Sequence, residues 1–185
     1  MSEGGSVTPV NVRAARGGHL VFIGFMGAGK STIARRLARQ EGMVSIDMDA
    51  YIEREAGMPA AEIFASEGEE GFRARELGFL RSMAKRDRCI LSCGGGVVTR
   101  EASRELVRSL GTVVYLEVTA DEALARISRP QTRPLLSGPV PPAELLEQRR
   151  ALYEGMADVR FDTTGLTVRQ VTQRLAALLK RRGLL

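Results

Sequence analysis

Tryptophan is absent, and a chain of 185 residues holds only two cysteines, one histidine and three lysines. Each shortage excludes something. Cys89 and Cys93 are too few for a disulfide framework, and His19 cannot complete a zinc site with them. A reducing, cytoplasmic compartment is therefore the expected home. Cys89 reads as a small buried hydrophobe; Cys93, beside a glycine loop, reads as the more accessible of the two. No apolar run approaches the roughly 20 residues that cross a bilayer, so no membrane role is expected. Residues 1–18 lack the apolar stretch of a secretory signal and are expected to form a flexible leader outside the fold. Because the lysines are only Lys30, Lys85 and Lys180, 24 of the 27 basic residues are arginine.

Hydrophobic residues make up 44% of the chain and charged residues 26%, enough for the core of one ordinary globular domain, expected over 19–182. The net charge is +5 and the isoelectric point about 9.8. A basic chain can bind nucleic acid, a membrane surface or small anions. Here the positive residues are dispersed along amphipathic segments. The compact run Lys180-Arg181-Arg182 reads as a solvated helix end. Small anions are the better-supported partners, and no nucleic-acid partner is expected.

Hydrophobic patterning predicts strands at 19–23, 43–46, 89–92, 112–118 and 158–161. Helices are predicted at 31–40, 50–56, 59–65, 70–85, 100–110, 120–127, 143–153 and 168–180. Residues 129–142 hold Pro130, Pro134, Pro139, Pro141 and Pro142 and are expected to form a mobile lid. Alternating strands and helices predict an α/β fold of three layers: a central five-stranded parallel sheet with helices on both faces. In such sheets ligands gather at the carboxyl ends of the strands. The loop at Gly24, the carboxylates Asp47 and Asp49, and the loop at Gly94 each follow a strand, so they are expected to converge on one edge.

The segment Gly24-Phe25-Met26-Gly27-Ala28-Gly29-Lys30-Ser31 matches the P-loop pattern without a mismatch, with a strand before it and a helix after it. Glycines let the backbone wrap tightly and aim N–H groups at an anion, and the following helix adds its positive end. The backbone of Gly27, Ala28, Gly29 and Thr32 is expected to cradle phosphates. Lys30 reaches the β- and γ-phosphates of ATP, and the Ser31 hydroxyl ligates Mg²⁺. Asp47 and Asp49 close the second strand, where alternation on an extended segment puts them on the same side. One can hold Mg²⁺ through water and the other can take a proton from a substrate hydroxyl. An alternative reading makes Asp49 the N-cap of the next helix.

The P-loop, Asp47-x-Asp49, Gly71-Phe72-Arg73, Gly94-Gly95-Gly96, Arg133-Pro134-Leu135-Leu136 and Arg149-x-x-Leu152-Tyr153 occur in this order. Together they resemble the shikimate kinase family, over about residues 19–180. The resemblance implies a nucleoside monophosphate kinase-like fold, ATP as co-substrate and one Mg²⁺ per subunit, held by Ser31 and, through water, Asp47. It implies transfer of the ATP γ-phosphate to the 3-hydroxyl of shikimate. Lys30, Asp49 and Arg133 would be catalytic, with Asp49 binding the shikimate hydroxyls and Arg133 delivered by the lid. Arg73 and Arg149 would clamp the shikimate carboxylate, Gly95 and Gly96 would contact it through the backbone, and Arg126 would lie against adenine. The acceptor would sit among helices at about 49–85, in a monomer. Arginine's planar fork suits a carboxylate, and Glu76, three residues beyond Arg73, could hold the guanidinium in place. Among 24 arginines only the family pattern singles out Arg73 and Arg149. Where that pattern carries proline before the Leu-Tyr pair, this chain has Ala151, and a looser turn after Arg149 is expected.

Other functions share parts of this pattern. A gluconate-type kinase would have the same phosphate cradle without the Asp47, Asp49, Arg73 and triple-glycine set. A nucleoside monophosphate kinase would bring an acceptor phosphate that Asp49 repels. A non-catalytic shikimate-binding regulator would not need Lys30, Asp47, Asp49 and Arg133 intact, and a nucleic-acid-binding protein rests on the isoelectric point alone.

Overall fold

Strand β1 (His19–Ile23) is buried along its whole length, as a continuous apolar run between two helical layers must be. It is the middle strand of a five-stranded sheet whose order is β2-β3-β1-β4-β5. The other strands are β2 (Val44–Asp47), β3 (Cys89–Ser92), β4 (Gly111–Glu117) and β5 (Val159–Asp162), and every pairing is parallel. The edge strand β2 is only half-covered: Val44 is exposed, whereas β3 is buried at all four positions. This computed structural model describes residues 18–127 and 140–185. The leader, and the part of the expected lid that carries Arg133, lie outside the described residues.

The helices are α1 (Lys30–Glu41), α2 (Met48–Ala56), α3 (Ala60–Met83), α4 (Glu101–Leu110), α5 (Ala120–Ala125), α6 (Pro142–Met156) and α7 (Val168–Arg181). They cover both faces of the sheet: α1 packs on β1, β2, β3 and α7, while α4 packs on β1, β4 and α3. The helices predicted at 59–65 and 70–85 both form, within α3, which breaks between them at Gly68, whose φ of 69° is left-handed and costs glycine little. Two expectations need correction. The lid predicted at 129–142 ends in a helix, because Pro141 and Pro142 open α6, where a missing N–H costs nothing. No turn follows Arg149; α6 runs on through Ala151, the best helix-forming residue, to Met156. The basic C-terminal run stands at an exposed helix end, as expected, and makes two local contacts. Lys180 Nζ pairs with Glu41 at 2.9 Å, and Arg182 donates to the carbonyl of Asp158 at 3.2 Å.

His19 ties three elements together. Its Nδ1 accepts from the backbone N–H of Cys89 at 3.2 Å. That leaves Nε2 to carry the proton, which it donates to the carbonyl of Met83 at 3.1 Å. The ring thereby joins β1 to β3 and to the end of α3, and it is 2% exposed. His19→Ala is expected to leave two buried backbone groups without partners and to cost about 2–4 kcal/mol. Urea unfolding checks this; an unchanged midpoint would show that the ring is packing only.

Candidate active site

The turn between β1 and α1 has the geometry an anion needs. Gly27 and Gly29 adopt left-handed φ of 78° and 84°, and Gly29 is the residue before α1. At Gly27 a side chain would also collide with the carbonyl of Ala123, so the turn lies directly on α5. The first turn of α1 has no acidic residue, which leaves its positive end unneutralised. Lys30 is 8% exposed, and its Nζ donates to the carbonyls of Gly24 at 2.8 Å and Phe25 at 2.9 Å. These bonds keep the ammonium folded over the loop that it serves. Ser31 Oγ lies 3.2 Å from Ser92 Oγ.

A cleft of about 640 Å³ opens above this turn. It is lined by residues 26–33, by Asp47, Asp49 and Cys93–Gly95, and at the far end by Arg126, Ile127 and Leu166–Val168 with Val171. The carboxyl ends of the strands thus meet on one edge, as expected. Thr32, Asp47, Asp49, Gly95 and Arg126 come together here with the P-loop residues.

The two aspartates are placed differently from the sequence reading. Asp47 ends β2 and is itself the N-cap of α2, its Oδ1 accepting from the N–H of Ala50 at 3.1 Å. Asp49 lies in the first turn of α2, so helix geometry and not strand alternation turns it toward the cleft. The cap that the alternative reading gave to Asp49 falls two residues earlier because the strand hands over to the helix at Met48. Asp49 Oδ1 and Glu76 Oε1 converge on one spot, 2.9 and 2.8 Å from where a side chain on Gly94 would begin.

Arg73 and Arg149 lie on different helices and reach the same glycine loop. The Arg73 guanidinium packs against Gly96 so closely that any side chain there would overlap it. Glu76 Oε2 accepts from Nη1 at 2.8 Å, as the spacing predicted. Glu69, one turn earlier, accepts from Nη2 at 3.0 Å and from Nε at 3.2 Å. Arg149 is 6% exposed and donates to the carbonyl of Gly95 at 3.4 Å. One turn on along α6, Tyr153 donates to the same carbonyl at 2.5 Å and stacks on Tyr115 of β4. Glu69, Ser92 and the role of Tyr153 escaped the sequence reading. The spacing of four between Glu69 and Arg73 carried a signal, whereas the stack on Tyr115 leaves none in the sequence. Cys93 is 2% exposed, against the expectation that it would be the more accessible thiol. Burial, with Glu76 adding to it, pushes its pKa far above the usual value, so it is inert at neutral pH.

Two carboxylates, Glu69 and Glu76, hold one buried guanidinium, and a third, Asp49, faces Glu76. For Arg73 burial is the largest single effect and acts downward; Glu76 and Glu69 outweigh it, so the net shift is up. Burial raises Glu76, and the charges of Asp49 and Glu69 act with burial, against the pull of Arg73. Among the described residues Glu76 Oε1 is a buried oxygen without a hydrogen-bond partner, which agrees with that direction. A carboxyl raised on folding binds more protons in the native state. Its contribution is complete below the ordinary value of 4.5 and is lost as pH rises through the folded value. Glu76→Gln is therefore expected to gain stability relative to the unsubstituted chain as pH rises above 4.5, read from urea midpoints across pH. Parallel pH profiles for the two chains would show that Glu76 does not titrate in that range.

The profile of the family described as shikimate kinase matches residues 26–180. Shikimate kinase 1 of Pectobacterium atrosepticum is 40% identical over 166 residues, covering 88% of this chain and 96% of that protein. Shikimate kinase 1 of Serratia proteamaculans shows the same identity and coverage. Among solved structures, shikimate kinase from Acinetobacter baumannii in complex with shikimate superposes with a TM-score of 0.82 at 34% identity, covering 89% of this chain and 93% of that one. A gluconokinase from Sinorhizobium meliloti reaches 0.57 at 17% identity, a likeness of fold alone. A family profile spanning most of the chain, relatives matched over nearly their whole length, and the P-loop cleft lead to one conclusion: this chain belongs to the shikimate kinase family and is an ATP-dependent kinase.

Proposed function

We propose that this chain transfers the γ-phosphate of ATP to the 3-hydroxyl of shikimate, giving shikimate 3-phosphate and ADP. The observation that carries the reading is the meeting of two arginines from different helices at one glycine loop, beside a phosphate-binding turn. Two fixed guanidiniums suit a carboxylate, and the adjacent Asp49 suits a hydroxyl that must lose its proton.

In this reading the backbone from Gly27 to Thr32 binds the phosphates, and Lys30 follows the charge that builds on the transferred group. Asp49 accepts the proton of the acceptor hydroxyl. Arg73 and Arg149 hold the carboxylate and so aim that hydroxyl, while Gly95 and Gly96 let the ring lie against the backbone. Arg126 faces the adenine. Arg133, outside the described residues, supplies a further positive charge at the γ-phosphate from a lid over about 129–142. Positioning supplies most of the rate, because phosphoryl transfer asks little covalent chemistry of the protein.

The residues also fit one Mg²⁺. Among the described residues no group of three or more Asp, Glu, His or Cys could cage a metal, which suits an ion that keeps its water and leans on phosphate oxygens. Ser31 would ligate it and Asp47 would hold it through water; a pocket of about 340 Å³ between Ser31, Ser45, Asp47 and Ser92 has room for that water. When bound, the ion neutralises charge on the β- and γ-phosphates.

Two buried free thiols, and no helix among the described residues long and apolar enough to cross a membrane, fit a cytoplasmic enzyme.

ADP release with ATP and Mg²⁺ against shikimate, quinate, gluconate and nucleoside monophosphates tests the reading. Shikimate should be the preferred acceptor, and preference for any other would overturn it. Asp49→Asn should keep ATP binding and lose turnover by roughly 10²-fold or more, the scale of general-base removal; near-normal turnover would take Asp49 out of the mechanism. Arg73→Lys keeps the charge and loses the fork, so the KM for shikimate should rise while that for ATP barely changes. Equal use of shikimate and its carboxylate-reduced alcohol would rule out the clamp.

A further inference from the structure

The far end of the cleft is built around a carboxylate that the sequence motifs do not include. Glu122 lies on α5, four residues before Arg126, and its Oε1 accepts from Arg126 Nη2 at 2.5 Å. Both of its oxygens also lie 3.0 Å from the backbone N–H of Gly165, in the turn between β5 and α7. Arg126 makes the same crossing in the other direction. Its Nη1 donates to Thr163 Oγ1 at 2.9 Å and its Nη2 to the Thr163 carbonyl at 2.7 Å. Thr163 Oγ1 in turn donates to the carbonyl of Glu117 at the end of β4, at 2.7 Å. Four hydrogen bonds therefore fasten α5 to the β5–α7 turn, around one guanidinium that lines the cleft.

The rest of this end offers shape and little else. Leu166, Val168 and Val171 line it with aliphatic surface. The Thr167 side chain is engaged in the capping box of α7, bonded to the N–H of Gln170 at 3.3 Å and to its side chain at 2.9 Å. A flat ligand face resting on Arg126 would thus be held by a planar cation and apolar walls. An arginine side chain left to itself samples many rotamers, and fixing one costs affinity each time a ligand binds. Here that ordering is done in advance by Glu122 and Thr163.

We propose that Glu122 is the positioning residue of the nucleotide base site, holding Arg126 and the Gly165 turn as one platform for the base while the P-loop grips the phosphates. The inference rests on the reading that Arg126 faces the base. The two halves are separable because Glu122 bonds to Arg126 and Gly165 and not to the phosphate turn, which meets α5 through Gly27 against Ala123.

Calorimetry on the full chain without acceptor separates them, with ADP probing both halves and inorganic tripolyphosphate probing the phosphate half. Glu122→Ala should weaken ADP about tenfold, as loss of a charge-assisted pair does, and leave tripolyphosphate within about twofold. Arg126→Ala should give the same pattern. Unchanged ADP affinity in Glu122→Ala, or equal weakening of both ligands, would overturn the proposal, as would an Arg126→Ala chain that binds ADP normally. Should Glu122→Ala fail to fold, Glu122→Gln, which keeps the shape and drops the charge, is read by the same criteria. A chain that binds ADP in this pattern but does not phosphorylate shikimate would sink the proposed reaction and leave this inference standing.

Discussion

The register between β1 and β3 sets the separation of two glycine loops. Phe22 pairs with Ser92, and the next N–H, that of Cys93, donates to the carbonyl of Phe22 at 3.0 Å. The P-loop and the triple-glycine loop therefore leave the sheet side by side, each from the carboxyl end of a buried strand. Asp47 pairs with Ser92 on the other side of β3, which brings the carboxylates of the second strand's end to the same place. Because all five strands are parallel, one register fixes where phosphates, acceptor and base can sit. A slip of one residue would turn every buried side chain of β3 to the wrong face.

The side of the cleft proposed for the acceptor carries an electrostatic cost that the fold tolerates. A guanidinium 3% exposed as a residue must be compensated, and Glu69 and Glu76 do so from the same helix. The compensation is uneven, since Glu76 keeps one oxygen without a partner while Asp49 faces the same spot. Surplus negative charge beside a fixed cation is a poor arrangement for stability and a useful one for an acceptor hydroxyl that must give up its proton. Buried polar groups short of a partner tend to mark such functional places. Gly96 completes the arrangement by what it lacks, since only a residue without a side chain lets Arg73 lie against the loop.

The nucleotide side is solved by geometry more than by charge. Left-handed glycines aim backbone donors, Lys30 is folded back on the loop by two carbonyls, and Arg126 is immobilised between α5 and the β5–α7 turn. Each of these groups is ordered by contacts within the chain, so little freedom remains to be lost when a ligand arrives. Phosphoryl transfer rewards such ordering, because placement and fixed charge are most of what an enzyme contributes to it.

The sequence by itself determined the P-loop, the alternation of strands and helices, and the pairing of Arg73 with Glu76. All three are local: a glycine pattern, a periodicity, and a spacing of three on a helix. It also singled out Arg149, though only through family pattern, since nothing in a run of 24 arginines separates one from another. Tertiary structure decided the rest. Whether Asp47 or Asp49 caps α2 depended on where β2 ends, which its parallel pairing with β3 sets. Cys93 proved buried, with its N–H bonded to Phe22 of β1, and Ala151 lies within a helix because α6 continues through it. Glu122, Thr163 and Tyr153 gained their partners from elements 37 to 58 residues away in the chain. Contacts at such separations leave no periodicity to read, and they exist only once the sheet order has brought those elements to one edge.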